Sequence, residues 1–416
     1  MTRQLPSNPN LKQLRHQAKD LVKAHKNGKA SCGVILRNLH RFKGKTDAEI
    51  TRSDVSLVDA QFAIALEYGF KGWREMKDHV TEASGESAPG QLSMPAPGKD
   101  PGNTYARGMS AALSYLGTEM SYDRIMGLSG VAFILQVDTS GPFIDKELDC
   151  GWWPNDAWGF DLGLPLISKA AGWELRKLRC NVEAFKADSS AEYRRAFAPA
   201  IEQSLAAGKP LLAEHDHCFI VTAVDNGEPP LLGYGTRGKS TQFEDVLRIP
   251  CYPWGLIVFG ETFKPGSPEE IDLASLRHIT ALFNEQARGA NAPITRFSGR
   301  QAWVEWLNLL QEGSACDNNM LIHLQYNRRS AVAYLHEMLM RHNGETTTHL
   351  SAAANFYQRI VDEVMRQGLP YNRVKNGEDE QTVRSEYTAM VDRVSKLEAQ
   401  AIAKLEAAAA SMSAHR

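Results

Sequence analysis

The chain reads as an α+β protein with helical regions at both ends, and three observations predict it. Apolar residues recur at i, i+3 and i+4 spacing over residues 8–80 and again from about 268 to the end. Between them, short apolar runs such as Leu231–Gly235 and Leu256–Gly260 have strand length and glycine or proline at their borders. Helices come first and strands after them, a segregated order rather than an alternating βαβ one.

The 416 residues suffice for two or three domains. Four parts are expected: a helical module over 1–81, a linker over 82–102, an α+β domain over 103–265 and a helical region over 266–416. In the first part Leu11, Leu14, Ala18, Leu21 and Val22 mark one helix face, and Ser56 with Asp59 has the pattern of a capped helix start. Gly69 stops that helix, and Trp73, Met76 and Val80 mark another face. Residues 82–102 have a linker's composition, with Pro89, Pro95, Pro97 and Pro101 among several glycines.

Within 103–265, a helix runs from Asn103 to Gly117 and a shorter one covers Tyr122–Met126. Val131–Val137 and Glu174–Cys180 have strand patterns, and an amphipathic helix is expected over Ala191–Ala206. A buried strand from Lys209 leads through His215 and His217 into the apolar run Cys218–Val224. After 268, four helices are expected over Ile271–Ala290, Arg300–Gln311, Asn319–Arg341 and Thr346–Gln367. A last long one carries Val383, Tyr387, Met390, Val394, Leu397, Ala401 and Leu405 at near-heptad spacing. That stripe has two readings, a homodimer through the C-terminal helix or packing against its own domain.

The net charge is −2, so no global field points to nucleic acid or to an anionic membrane, and neither is expected as a partner. The balance is uneven: residues 1–80 hold 15 Lys and Arg against 8 Asp and Glu. The excess could serve partners, but a solvated basic face is the preferred reading. The six cysteines form no CxxC pair, which excludes a disulfide framework and a zinc ribbon by pattern and fits a reducing cytoplasm. No cofactor is expected, since neither a P-loop nor a GxGxxG stretch is present.

Around Glu67-Tyr68-Gly69-Phe70-Lys71-Gly72-Trp73 the chain resembles a short helical segment that precedes the repeats of many bacterial ankyrin-repeat proteins. The resemblance covers about the first fifth and implies a docking or packing module. Three later stretches carry a second resemblance: Asn103-Thr104 through Tyr115-Leu116-Gly117, His217 through Asp225, and Pro253 through Gly260. There the chain resembles the papain-like cysteine peptidase and acyltransferase superfamily, closest to C39-like peptidases and to the N-terminal domain of the butirosin-biosynthesis H-type proteins. The helical tail after Ala302-Trp303 resembles the companion region of the latter.

This second resemblance implies a papain-like core and amide or acyl transfer or hydrolysis on a small metabolite. In that chemistry a thiolate at a helix N-terminus is activated by the dipole and a nearby imidazole, with backbone N–H groups holding the oxyanion. The nucleophile position falls on Thr104 and the base position on His217. The orienting Asn or Asp expected after the next strand is absent from Leu231–Thr236. Two readings result: an enzyme with His217 as base and Thr104 or Cys150 as partner, or a catalytically lapsed relative that binds a small molecule or a protein in the cleft.

Each candidate has a structural reading beside its chemical one. Thr104 is a nucleophile or a helix cap; Asn103 donates to an oxyanion or turns the chain. Trp152, Trp153 and Asp156, in an aromatic-rich loop, are a ligand wall with an acidic grip or a packed lid. His215 lines the cleft or joins His217 as a metal pair, with no third ligand in view. Ser129, within Gly127-Leu128-Ser129-Gly130, is a substrate contact or part of a tight turn. Tyr234 completes the set of substrate-binding candidates, and Cys218 is read as a small core residue.

Overall fold

The computed structural model describes residues 5, 11–29, 31–73, 75–76, 80, 92–95, 97, 102–138, 163–214, 218–225, 227, 229–235, 244–249, 251–284, 296–312 and 318–414. The chain divides into two units, Met1–Gly90 and Gln91–Arg416.

The first unit holds helices α1 (Leu11–Lys26), α2 (Cys32–Leu36), α3 (Asp47–Thr51) and α4 (Leu57–Glu67), with a 3₁₀ turn at His40–Phe42. Leu14, Ala18 and Leu21 of α1 meet Ile50, Ala63, Ile64, Met76 and Val80 in one core. Two helix starts are closed by reciprocal capping boxes, Thr46 with Glu49 and Ser56 with Asp59, as the second pair's spacing predicts. Gly69 takes φ 85° just beyond α4, a conformation glycine adopts freely, and the helix stops there.

The second unit runs α5 (Thr104–Tyr115), α6 (Tyr122–Leu128), β1 (Gln136–Asp138), α7 (Leu164–Ala171), β2 (Trp173–Arg179), α8 (Val182–Ala187), α9 (Ser189–Ala196), α10 (Ala198–Ala206), β3 (Leu211–Glu214), β4 (Cys218–Val224), β5 (Leu231–Gly235), β6 (Glu244–Arg248) and β7 (Gly255–Thr262). It continues with α11 (Pro268–Asn284), β8 (Arg296–Ser298), α12 (Gly299–Gln311), α13 (Asn318–Leu339), α14 (Gly344–Gln367), α15 (Pro370–Lys375) and α16 (Glu380–Ala414). Helix and sheet are thus mixed, in keeping with the predicted α+β class.

Six strands form an antiparallel sheet in the order β2-β7-β3-β4-β5-β6. Side-chain alternation gives it two covered faces. Leu212, Cys218, Ile220, Ile257 and Phe259 belong to the large core that includes α5. Leu211, Ala213, Phe219, Val221, Leu256 and Val258 pack instead with Tyr193, Phe197 and Ile201 of the α9–α10 layer. Helix α5 lies close against the first face because Gly108 has no side chain; a Cβ there would sit 3.3 Å from both Cys218 Sγ and Leu212 Cδ2.

Three sequence expectations are corrected. The helix expected over Ala191–Ala206 is two helices broken at Phe197, and Pro199 sits in the first turn of α10, where its missing N–H costs no helical bond. The strand expected over Val131–Val137 shrinks to β1, which pairs with β8 in a separate two-stranded ribbon. The amides of Ala132, Phe133 and Ile134 turn back to the carbonyls of Met126 and Gly130, so the ladder begins only at Gln136. The stretch read as linker also reaches the sheet, since Leu92 N–H donates to Thr222 O at 3.0 Å and Met94 is buried.

The parts expected as 103–265 and 266–416 share a single core that takes in Tyr105 at one end and Leu405, Ala408 and Ala409 at the other. Tyr334 of α13 lies on Gly127 of α6, where a Cβ would come within 2.1 Å of the ring. Arg328 of α13 is fully buried; its Nε donates to Glu398 of α16 at 2.9 Å, and its Nη1 donates to Ala132 O at 2.7 Å. The near-heptad stripe of α16 is taken up in this packing: Val383, Tyr387, Met390, Val394, Ala401 and Leu405 are buried and Leu397 is half-buried against the same core, with α11, α12 and α14 packed against the helix. The stripe is therefore not free to form a dimer seam. Among the described residues no helix is long and apolar enough to cross a membrane.

Removing one member of the Arg328–Glu398 pair strands the other charge in the core. Glu398→Ala is expected to cost about 3–5 kcal/mol, read as a lowered urea midpoint of the second unit. The double variant Arg328→Met, Glu398→Leu is expected to recover most of that loss.

Candidate functional site

The region singled out by sequence lies where the first turn of α5 meets β3 and β4. Asn103, not Thr104, is the N-cap: it is extended (φ −68°, ψ 118°) and its Oδ1 accepts the Ala106 N–H at 3.0 Å. Its own N–H donates to the Tyr122 hydroxyl at 2.9 Å. Burial pushes the Tyr122 phenol up from its ordinary pKa. The turning role of Asn103 is therefore the one these bonds define.

Thr104 occupies the first helical position and is 3% exposed. Its Oγ1 accepts the Cys218 N–H at 3.0 Å. This bond corrects the capping assignment, because the hydroxyl spans from helix to sheet rather than closing its own helix. It also puts the hydroxyl against the peptide that follows His217. The bond joins residues 114 positions apart.

Cys218 begins β4 on the face toward α5 and is completely buried, as its reading as a core residue predicts. Burial, then the nearby Glu214 carboxylate, raises its thiol well above the ordinary value. A thiol held protonated in this way is a poor nucleophile.

Sequence reasoning missed the pairing beside it. Glu214 stands opposite Cys218 in the β3–β4 register, and its Oε2 lies 3.1 Å from Lys177 Nζ of β2, with both side chains nearly buried. The pair reaches across β7 where Gly255 leaves room; a Cβ there would sit 2.5 Å from Glu214 Oε2. The only signal in the sequence is charge inside otherwise strand-like runs, Lys177 in Trp173–Arg179 and Glu214 after Leu211-Leu212-Ala213.

Two further candidates have structural roles. Ser129 is fully buried, its hydroxyl donating to Met126 O at 3.1 Å and accepting the Val131 N–H at 3.3 Å. It closes the turn after α6 and reaches no cleft. Tyr234 donates its hydroxyl to Met94 O at 2.5 Å, fixing the segment that precedes α5 onto β5. His215, His217, Trp152, Trp153, Asp156 and Cys150 lie outside the described residues. Among the described residues no group of three or more His, Cys, Asp or Glu side chains could hold a metal ion.

Two surface hollows lie away from Thr104. One of about 390 Å³ is lined by Tyr193, Glu202, Asp225 and Tyr252 on the opposite side of the sheet, and one of about 400 Å³ by Arg359, Glu363 and Arg393 between α14 and α16. The junction of α5 with β4 thus offers a hydroxyl, a helix N-terminus and a buried ion pair close together, beside a Cys218 thiol that burial shifts away from its ionised form. No protein-family model matches the chain, and no curated protein matches it.

Thr104→Val leaves the buried Cys218 N–H without an acceptor and is expected to cost about 1–3 kcal/mol, whereas Thr104→Ser keeps the bond and most of the stability. Paired chemical denaturation curves check this. The raised thiol of Cys218 stays protonated below its elevated pKa, so iodoacetamide at pH 8 is expected to leave it unmodified in the native protein and to label it after unfolding, as mass spectrometry of the peptides would show.

Proposed function

We propose that the chain is a papain-like protein whose cleft, at the junction of α5 and β4, binds a small acyl- or amide-bearing molecule without thiol chemistry. The hydrogen bond from Cys218 N–H to Thr104 Oγ1 carries this reading. It joins the helix start to the strand that follows His217, and it uses the side chain at the nucleophile position as a latch. A threonine hydroxyl needs a strong base to attack a carbonyl, and the neighbouring Cys218 thiol is shifted away from its reactive form. The N-terminus of the twelve-residue α5 still favours an electronegative ligand atom, so recognition can survive where reactivity has gone.

A second reading has its own support. The Thr104 hydroxyl lies against the peptide joining His217 to Cys218, and accepting one bond leaves its hydrogen to be given to a base. In this reading His217 removes that proton, Thr104 attacks the carbonyl of an ester or amide, and an acyl-threonine forms as the leaving group departs with the proton. Water then releases the acid.

The two readings separate on one set of proteins. Binding of N-acetyl amino-acid amides would be followed by calorimetry, and release of nitrophenol from p-nitrophenyl acetate by absorbance, in wild type, Thr104→Ser and His217→Ala. Binding in all three with no turnover above buffer is the expected outcome. Turnover in wild type that His217→Ala abolishes would replace the first reading with the second, and absence of both binding and turnover would end both.

A further inference from the structure

Helix α1 shows two unlike sides. Leu14, Ala18, Leu21 and His25 are buried in the first unit. Arg15, Lys19, Lys23 and Lys26 are exposed. At 100° per residue these four cations fall within an arc of about 80°, and they span roughly 16 Å of helix. Asp20 is the helix's one acidic residue, and the same rotation puts it outside that arc. Among the described residues no ion pair neutralises any of the four, although Arg37 and Arg41 of the same unit are paired with Asp47 and Asp59. Up to Gly90 the chain holds 15 Lys and Arg against 10 Asp and Glu, so the ridge concentrates an excess belonging to the whole unit.

We propose that this ridge is a docking surface for the phosphodiester backbone of a nucleic acid. A row of fixed cations on a helix meets a row of phosphates without base contacts, and 16 Å of duplex offers about five phosphates per strand. A lipid surface fits less well. A helix lying on a bilayer buries its apolar side in the lipid, and here that side is used by the unit's own core. A protein interface would need an apolar centre within its charged rim. Among the described residues the large apolar side chains exposed in this unit, Val34, Leu57, Val58 and Phe62, lie on α2 and α4. Lysine, the residue at three of the four positions, suits backbone neutralisation, in which charge matters and bidentate geometry does not.

The test uses the full chain and a fluorescein-labelled duplex of about 20 base pairs, with anisotropy read between about 50 and 200 mM salt. Four phosphate contacts give an expected slope of log K against log salt near −3.6, an affinity loss of roughly 150-fold over that range. The variant Lys19→Gln, Lys23→Gln alters only exposed side chains and is expected to keep its circular dichroism and melting curve. Its slope should fall to about −2, each lysine removing close to one unit. Absence of binding at the lower salt overturns the proposal, as does a slope that the double substitution leaves unchanged. Phosphatidylserine vesicles form the third arm: binding to them as strong as to the duplex, or stronger, overturns the choice of nucleic acid.

Discussion

Arg328 is a cation with no route to water, and much of the second unit is arranged around that fact. A guanidinium does not lose its proton in a protein, so the charge must be matched inside. Glu398 supplies the opposite charge at Nε, and the carbonyls of Ala132 and Ile134 both accept from Nη1. These groups come from α16, from α13 and from the stretch before β1. Satisfying one side chain therefore fixes three distant segments relative to one another. Burial raises the Glu398 carboxyl while Arg328 pulls it down, and burial is the larger effect. The pair holds position at the expense of some stability that an apolar core would offer.

The same constraint explains where local pattern misleads. Val131–Val137 is apolar and β-branched enough to pass for a strand, but its carbonyls are claimed by Arg328 and its amides by the end of α6. No window of seven residues contains that information. The long C-terminal helices are legible because each carries its own 3.6-residue period, and where their ends fall among the described residues they agree with the pattern to within a few residues. Strand β6 is not, because Glu244-Asp245-Val246-Leu247-Arg248 has neither clean alternation nor an apolar run. The join between 103–265 and the helical tail is invisible for a related reason. Gly127 looks like a turn residue until Tyr334, 207 positions later, is found lying on it.

The candidate site divides in the same way. That the start of α5 and the start of β4 come together could be expected from Thr104 and His217, since each stands at the border of a well-patterned element. The role of Thr104 could not. Threonine at a helix start is ordinarily a cap, and only the sheet's position turns it into a tie between elements. Lys177 and Glu214 escaped notice because their meeting depends on an intervening glycine, Gly255, in a strand to which neither belongs.

Acidity alone decides much of what threonine can do at this position. A helix N-terminus contributes about 0.3–1 kcal/mol toward an anion, less than one pKa unit. For a thiol with an ordinary value near 8.5, that contribution plus a neighbouring imidazolium brings the thiolate within physiological reach. For an alcohol the gap is far larger and the same field leaves it un-ionised. As an acceptor of a buried N–H the ranking reverses, because a hydroxyl oxygen takes a short, well-directed bond and sulfur is a weak acceptor. The Cys218 amide is buried and must be satisfied. At the first position of α5 a threonine hydroxyl is therefore a better latch for the Cys218 amide than a thiol would be.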